Sequence, residues 1–329
     1  MENQEPIMRT RVLGDTTITI SALTFGCGNV GGLMIRGEER EQREAVARAL
    51  DAGVRYFDTA ASYGDGVSEE TLGRILPESE TRATIGTKVR VPPEAFATGG
   101  GVADVVRRSL EDSLHRLRRD AVDLFQLHNP IDDSGGGEAL TVAHVVGEVL
   151  PVFQDLRRAG KARHIGFTAL GDAASIQRLV ATGGFETAQV PLNLLEPAAA
   201  ASNGLLPPPA GVALGTIGIR ALAGGALAGR LARHAIAAPN VEPLSWDRRA
   251  GKDYVSDVAR AARFAGLVEA GAAASLPALA IRYALSTEGL DTFAVGLSSL
   301  GQLQEALDAV AAGPLDPGVL DEIARIHSS

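Results

Sequence analysis

Asp58, Tyr63, Lys88 and His128 have side chains whose chemistry becomes coherent only if they meet. A phenol ordinarily ionises at about pH 10 and is a poor acid at neutral pH. An ammonium in contact favours the phenolate and lowers that value by roughly one to three units. Asp58 pairing with Lys88 keeps the ammonium charged and aimed, and His128 donating to the same oxygen positions a carbonyl. The set suits protonation of a carbonyl oxygen while another agent delivers hydride. Singly, each residue is weak evidence: loop tyrosines and lone histidines mostly pack, and an Asp closing a strand is commonly a turn or cap. Lys88 stands out by rarity, since the basic residues are nearly all Arg and the only lysines are Lys88, Lys161 and Lys252.

Strands must bring these four together. The apolar run ending in Tyr56-Phe57 gives way after Asp58 to small residues and Gly64, the pattern of a buried strand leaving a core for a loop. Comparable runs occupy residues 23–25, 54–57, 84–87, 122–125, 164–167, 187–190, 212–219 and 292–295. Amphipathic helices fall between them. Val102, Val105, Val106, Leu110, Leu114 and Leu117 keep one apolar stripe at three- and four-residue steps. Segments 41–50 and 150–159 end at Gly53 and Gly160, in the position of a C-cap glycine, and 302–310 and 318–326 close the chain. Residues 8–21 read as a hairpin around a Gly14-Asp15 turn.

Strands alternating with helices, without a break in charge or composition, predict an α/β fold. It is a closed (β/α)8 TIM barrel with an N-terminal β-hairpin, one domain over residues 1–329. Pro207-Pro208-Pro209, residues 99–101 and residues 135–137 read as loops. Residues 230–251, with Pro239, Pro243 and Trp246, form a long insertion after the seventh strand, where a lid is expected. Active sites of such barrels lie at the C-terminal strand ends. Those ends are residues 26–33, Asp58 with Tyr63, Lys88, His128, Thr168, Gln189, Arg220 and Gly296.

Composition narrows the function. The chain has 329 residues, 45% hydrophobic and 22% charged, as a globular protein with a full core should. A net charge of −9 argues against nucleic-acid binding. There is no apolar run long enough for a membrane span and no apolar leader in the first ten residues, so a cytoplasmic location is expected. The single Cys27 precludes an internal disulfide, and histidines at 115, 128, 144, 164, 234 and 327 have no metal-ligand spacing. His115 and Arg116 read as a solvated helix face and Asp132-Asp133 as a surface pair. Asn29, Met34, Asn129, Trp246 and Tyr254 are candidates to border a substrate pocket, with Cys27 close by.

Several stretches then coincide with one family's pattern: Phe57-Asp58-Thr59-Ala60 with Tyr63-Gly64, and Ser68-Glu69-Glu70-Thr71-Leu72-Gly73. To these add Thr87-Lys88, Ser113 to Leu117 with Asp123 to His128, and Gly160 to Thr168. Over residues 9–325 the chain resembles the aldo-keto reductases. The resemblance implies an NAD(P)-dependent oxidoreductase acting on an aldehyde, ketone or sugar lactol, with Tyr63 as proton donor and Asp58, Lys88 and His128 completing the tetrad. It implies that Thr168 and Gln189 hold the nicotinamide carboxamide, although Ala169 stands where an Asn is common. Leu222-Ala223-Gly224-Gly225 would receive the pyrophosphate. Residues 295–307, including Gly296, Ser298, Gln302 and Glu305, would meet the adenosine end, with Gly26 and Asp58 also facing the cofactor.

Two departures bear on specificity. No Lys or Arg lies between Thr292 and Val310, where relatives grip a 2′-phosphate, so both NADP and NAD stay open. Arg220 stands near where many relatives stack a Tyr. The Ile219-Arg220 pair is similar to the aldose-1-dehydrogenase-like branch, which oxidises sugar lactols. Two other functions compete with the enzyme. A cofactor-binding regulatory subunit has no need of all four tetrad residues, and a metal-dependent barrel hydrolase lacks its His-x-His. The oligomeric state is open.

Overall fold

The computed structural model describes residues 8–77, 83–97, 99–197, 204–228, 230, 232–238 and 253–328. Strands β1 (Thr10–Val12) and β2 (Thr19–Ser21) pair antiparallel with Thr10 opposite Ser21, forming the expected hairpin. Eight strands follow: β3 (Leu23–Gly26), β4 (Tyr56–Asp58), β5 (Thr84–Val89), β6 (Val122–Leu127), β7 (Ala162–Thr168), β8 (Thr187–Pro191), β9 (Gly215–Ile219) and β10 (Thr292–Gly296). They close a parallel barrel in sequence order, with β10 beside β3. Each connection is long enough to pass over the outside and return parallel, which is what the helical segments between strands accomplish.

Side chains alternate across each strand. The outward set, such as Phe57, Ile85, Phe125 and Phe167, joins the helices in the main core. Among the inward set, Tyr56, Leu124 and Ile217 meet Leu13, Ile18 and Ile20 of the hairpin in a separate cluster. The hairpin thus closes the barrel floor. Gly14 makes this possible: a Cβ there would lie 2.3 Å from the Gly215 nitrogen, and its φ of +53° suits glycine. Thr17 clasps His164 at the start of β7, its backbone N–H donating to Nε2 at 3.2 Å while Nδ1 faces Glu186 at 2.9 Å.

Two strands start later than the sequence expectation, while β5 and β6 run two residues further and β7 starts two residues earlier. Val54 lies before β4, because its N–H caps the preceding helix on Ala49 O at 2.8 Å. Residues 212–214 form a turn, with Val212 N–H on Pro209 O and Leu214 N–H on Val212 O, so β9 starts at Gly215. The helix expected at 150–159 runs Leu150–Arg158 and is preceded by a π turn, Val145–Val149, and by Val142–His144. Thr141 starts that stretch by accepting from His144 N–H at 3.1 Å. Trp246, Pro239 and Pro243 lie outside the described residues. Among the described residues no helix is long and apolar enough to cross a membrane.

Candidate active site

Parity places Asp58 and Lys88 on the inner face at the top of β4 and β5, and both are buried. Lys88 Nζ donates to Asp58 Oδ2 at 2.6 Å, to Thr59 O at 2.8 Å and to Tyr63 Oη at 3.3 Å. An ammonium has three donors, and this one spends all of them within the site. Burial pulls the Lys88 pKa down, but the Asp58 carboxylate and Tyr63 outweigh it and carry it above the ordinary lysine value. Tyr63 sits on a turn held by its own N–H on Ala60 O and by Ser68 N–H on its carbonyl. Beneath that turn Thr59 Oγ1 and Ser68 Oγ meet at 2.7 Å, and Ser68 reaches Cys27 O.

His128 follows β6, with its N–H on Val89 O and its ring edge-on to Tyr63 at 5.8 Å between centroids. Burial, reinforced by the positive charges of Lys88 and Arg90, holds its pKa well below the usual imidazole value. The ring is therefore neutral, a donor through one nitrogen rather than a cation. Below pH about 6.5 the unfolded chain binds a proton at this position that the native chain refuses, so stability is complete above that pH and drains as pH falls. From pH 7.5 to pH 5, wild type is expected to lose up to about 2 kcal/mol of unfolding free energy that His128→Asn keeps. Urea titrations of both proteins at the two pH values check this; equal losses refute it.

Gly26, Thr168, Gln189, Arg220, Leu222, Gly224, Gly296, Ser298, Gln302 and Glu305, named from the sequence as facing a cofactor, line one cavity of about 1650 Å³ that runs from Tyr63 and His128 to Glu305. That volume exceeds the roughly 300–1,000 Å³ of common small-ligand pockets. Thr168 and Gln189 form the wall beside Asp58, Gln189 Nε2 donating to Asp58 Oδ1 at 2.6 Å. Among the described residues no partner reaches Thr168 Oγ1 or His128 Nδ1, both buried. Ile219, Arg220, Leu222, Gly224 and Gly225 continue the lining. Here φ is positive at Arg220 (65°), Ala223 (48°), Gly224 (65°) and Gly225 (99°), and the turn is closed by Ala223 N–H on Arg220 O and Gly225 N–H on Leu222 O.

Gly26 pairs with Gly296 across β3 and β10. Ser298 Oγ donates to Gly31 O at 2.6 Å, its N–H reaches Gln302 Oε1 at 2.7 Å, and Glu305 accepts from Ser275 Oγ at 2.5 Å. The first part of the long insertion crosses this groove. Arg36 donates to Ile236 O and Asn29 O at 2.6 and 2.7 Å, and Ala238 N–H reaches Asn29 O at 3.1 Å. Arg233 lies over the Tyr254 ring at 4.2 Å, and the Tyr254 hydroxyl holds Gly225 O and Arg230 O.

Of the candidate pocket residues, Asn29 and Tyr254 line the cavity, and Asp132 does so as well. Met34 is core, and Asn129 is spent on the Val91 backbone and Glu138 O. Cys27 is buried, its thiol pushed well up by burial and then by Asp58. Arg116 is not a solvated helix residue: its Nε holds the buried Glu69 at 2.7 Å, and Glu69 also takes the Thr87 hydroxyl. Burying that carboxylate demands a cation, and Arg116 sits one helix away to supply it. Sequence reading passed over Arg90, which pairs with Glu138 at the cavity wall at 2.5 Å, and over Tyr56 and Gln126 inside the barrel. Strand parity alone marks the last two as inward-facing. No group of three or more His, Cys, Asp or Glu among the described residues is placed to hold a metal.

A closed eight-stranded parallel barrel, with titratable side chains gathered at its C-terminal strand ends, places the chain among the TIM barrels. Within them it belongs to the Aldo/keto reductase family, whose model matches residues 22–328. L-galactose dehydrogenase of Arabidopsis thaliana is 32% identical over 163 residues, 49% of this chain and 48% of that protein. D-threo-aldose 1-dehydrogenase of a Pseudomonas species is 30% identical over 175 residues, 46% and 51% of the two chains. The chain spans about half the length of the curated relatives it matches. Aldo-keto reductase AKR11C1 from Bacillus halodurans, in its holo form, superposes with a TM-score of 0.72 at 22% identity, covering 97% of this chain and 96% of that one. Likeness at that identity shows the fold.

Proposed function

We propose that the chain is a nicotinamide-dependent oxidoreductase that interconverts a carbonyl and an alcohol, with Tyr63 as the group that gives and takes the proton. The observation that carries this reading is Lys88 Nζ, held on Asp58 Oδ2 and 3.3 Å from Tyr63 Oη. Several features fit a dinucleotide. The buried Thr168 Oγ1 has no partner among the described residues, and beside it Gln189 is open to a carboxamide on its acceptor side. Leu222 and Gly224, whose neighbours Ala223 and Gly225 close the turn, line the cavity with Arg220 where a pyrophosphate would lie, and Gly296, Ser298, Gln302 and Glu305 lie at the far end for the adenosine. When bound, a reduced nicotinamide supplies the hydride.

The chain's own residues do the rest. A substrate oxygen seated between Tyr63 Oη and the neutral His128 ring receives the Tyr63 proton as charge develops on it. Lys88 stabilises the phenolate left behind, and Asp58 keeps Lys88 aimed. In the oxidative direction Tyr63 takes the proton back. Around that seat the wall is polar, with Asn29, Ser62, Arg90, Asp132 and Glu138. A hydroxylated aldehyde, ketone or sugar lactol suits such a wall better than an aromatic carbonyl, in keeping with the sugar dehydrogenases among the relatives.

Because no Lys or Arg lies between Thr292 and Val310, a 2′-phosphate gains no cation from that segment. NADH is expected to bind at least as tightly as NADPH, read by fluorescence titration of each. The reaction itself is tested by following reduced-nicotinamide absorbance with both cofactors against aldehydes, ketones and free aldoses. Turnover of a hydroxylated substrate supports the reading. Tight cofactor binding without turnover of any of them moves the chain to a regulatory role.

A further inference from the structure

Polar groups that the proton path does not use lie directly beneath it, inside the barrel. Tyr56 is fully buried on the inner face of β4, and its hydroxyl donates to Asp58 Oδ1 at 3.2 Å. Gln126, inward on β6, brings Nε2 to 3.4 Å from the Tyr56 hydroxyl and 3.5 Å from Asp58 Oδ1. Gln189, from β8, donates to the same oxygen at 2.6 Å. Opposite the phenol, β5 carries Gly86, where a Cβ would stand 1.9 Å from the Tyr56 hydroxyl. The small residue on one strand therefore makes room for the polar tip on the next. The ring carbons Cζ and Cε2 would stand 2.7 and 2.8 Å from that Cβ, so Gly86 makes room for the end of the ring as well as for its hydroxyl.

The two oxygens of Asp58 consequently serve different partners. Oδ2 faces Lys88, and Oδ1 faces donors from β4, β6 and β8. The terminal torsion of an Asp is broad and has no steep staggered wells. Only hydrogen bonds fix which oxygen points where, and a rotated carboxylate would present Lys88 with a different angle and let Nζ drift from Tyr63. Burial, followed by the charge of Asp58, holds the Tyr56 phenol protonated well above the usual range, so it stays a donor. We propose that Tyr56 is a positioning residue for the reaction, its hydroxyl locking Asp58 so that Lys88 remains aimed at Tyr63. The inference rests on the reading of Asp58, Lys88 and Tyr63 as the proton-handling set.

Tyr56→Phe is made in wild type and in Asp58→Asn, and each protein is measured for melting temperature, NADH dissociation constant, kcat and KM. With Asp58 present, kcat is expected to fall about five- to tenfold while KM and NADH affinity stay within about twofold. In the Asp58→Asn background Tyr56→Phe is expected to change kcat by less than about twofold, because the group it acts through is gone. Gln126→Met, which leaves the phenol ring in place, is expected to show the same dependence on background in milder form. Equal losses in both backgrounds, or an unchanged kcat with Asp58 present, would overturn the proposal in favour of a packing role. If Asp58→Asn by itself turns over like wild type, the reading of the site fails first and the proposal with it.

Discussion

Tyr63→Phe is expected to lose about 100- to 10,000-fold in kcat, the range in which a positioned acid or base contributes. The substitution deletes one oxygen and little else. The ring keeps its edge contact with His128 and its face against Gly28, where a Cβ would lie at 3.4 Å. Lys88 retains Asp58 Oδ2 and Thr59 O as acceptors, so no buried charge is stranded and the melting temperature should hardly move. Thr168, Gln189 and the Leu222 to Gly225 turn are untouched, so NADH affinity should stay within about threefold. Steady-state rates combined with a fluorescence titration separate these effects. Undiminished turnover would remove Tyr63 from the reaction, whereas loss of cofactor binding would reveal a different role for the phenol.

Lys88→Met produces the opposite balance, with activity and stability failing together. Met matches the length of the Lys stem, so packing survives, but Asp58 is left as a buried carboxylate without its cation. Breaking a buried pair by removing one partner costs about 3–5 kcal/mol. The urea midpoint should fall accordingly, and turnover should fall at least as far as in Tyr63→Phe, since nothing then offsets the phenolate. Lys88→Met combined with Asp58→Asn removes both charges and should recover most of the lost stability while staying inactive. Urea unfolding of the three proteins decides it. A single variant as stable as wild type would mean that the carboxylate is already satisfied by Tyr56, Gln126 and Gln189 alone.

The barrel was legible because parallel strands covered on both faces read as short continuous apolar runs, and the glycines at 53 and 160 punctuate the helices between them. Limits slipped where the cause is a single backbone hydrogen bond: Val54 looks like strand but serves the preceding helix, and Val212 looks like strand but turns back on Pro209. Around the site, residue type and strand position were enough to bring Asp58, Lys88, Tyr63 and His128 to one mouth. What escaped were the partners one layer away. Arg116 looked solvated because its partner, Glu69, lies 47 residues distant on another helix. The hydroxyl of Tyr56 looked like core because nothing in sequence says which Asp58 oxygen it will meet. Pairings of this kind depend on strand register and helix rotation, which only the assembled barrel defines.

The hairpin on the barrel floor has a consequence for synthesis. Arg11 Nη1 donates to Leu290 O at 3.0 Å and Gly14 N–H to Asp291 Oδ2 at 3.3 Å, contacts that span 279 and 277 residues. The hairpin therefore waits for a segment made nearly 280 residues after it. At about 5–20 residues per second that wait is roughly 15–55 s. Throughout it Leu13, Ile18 and Ile20, buried in the finished protein, have no complete floor to join. The fold thus commits these long-range contacts only after the barrel strands between them have been made, and it is in this interval, rather than in the finished barrel, that a nascent-chain chaperone would find its apolar handle.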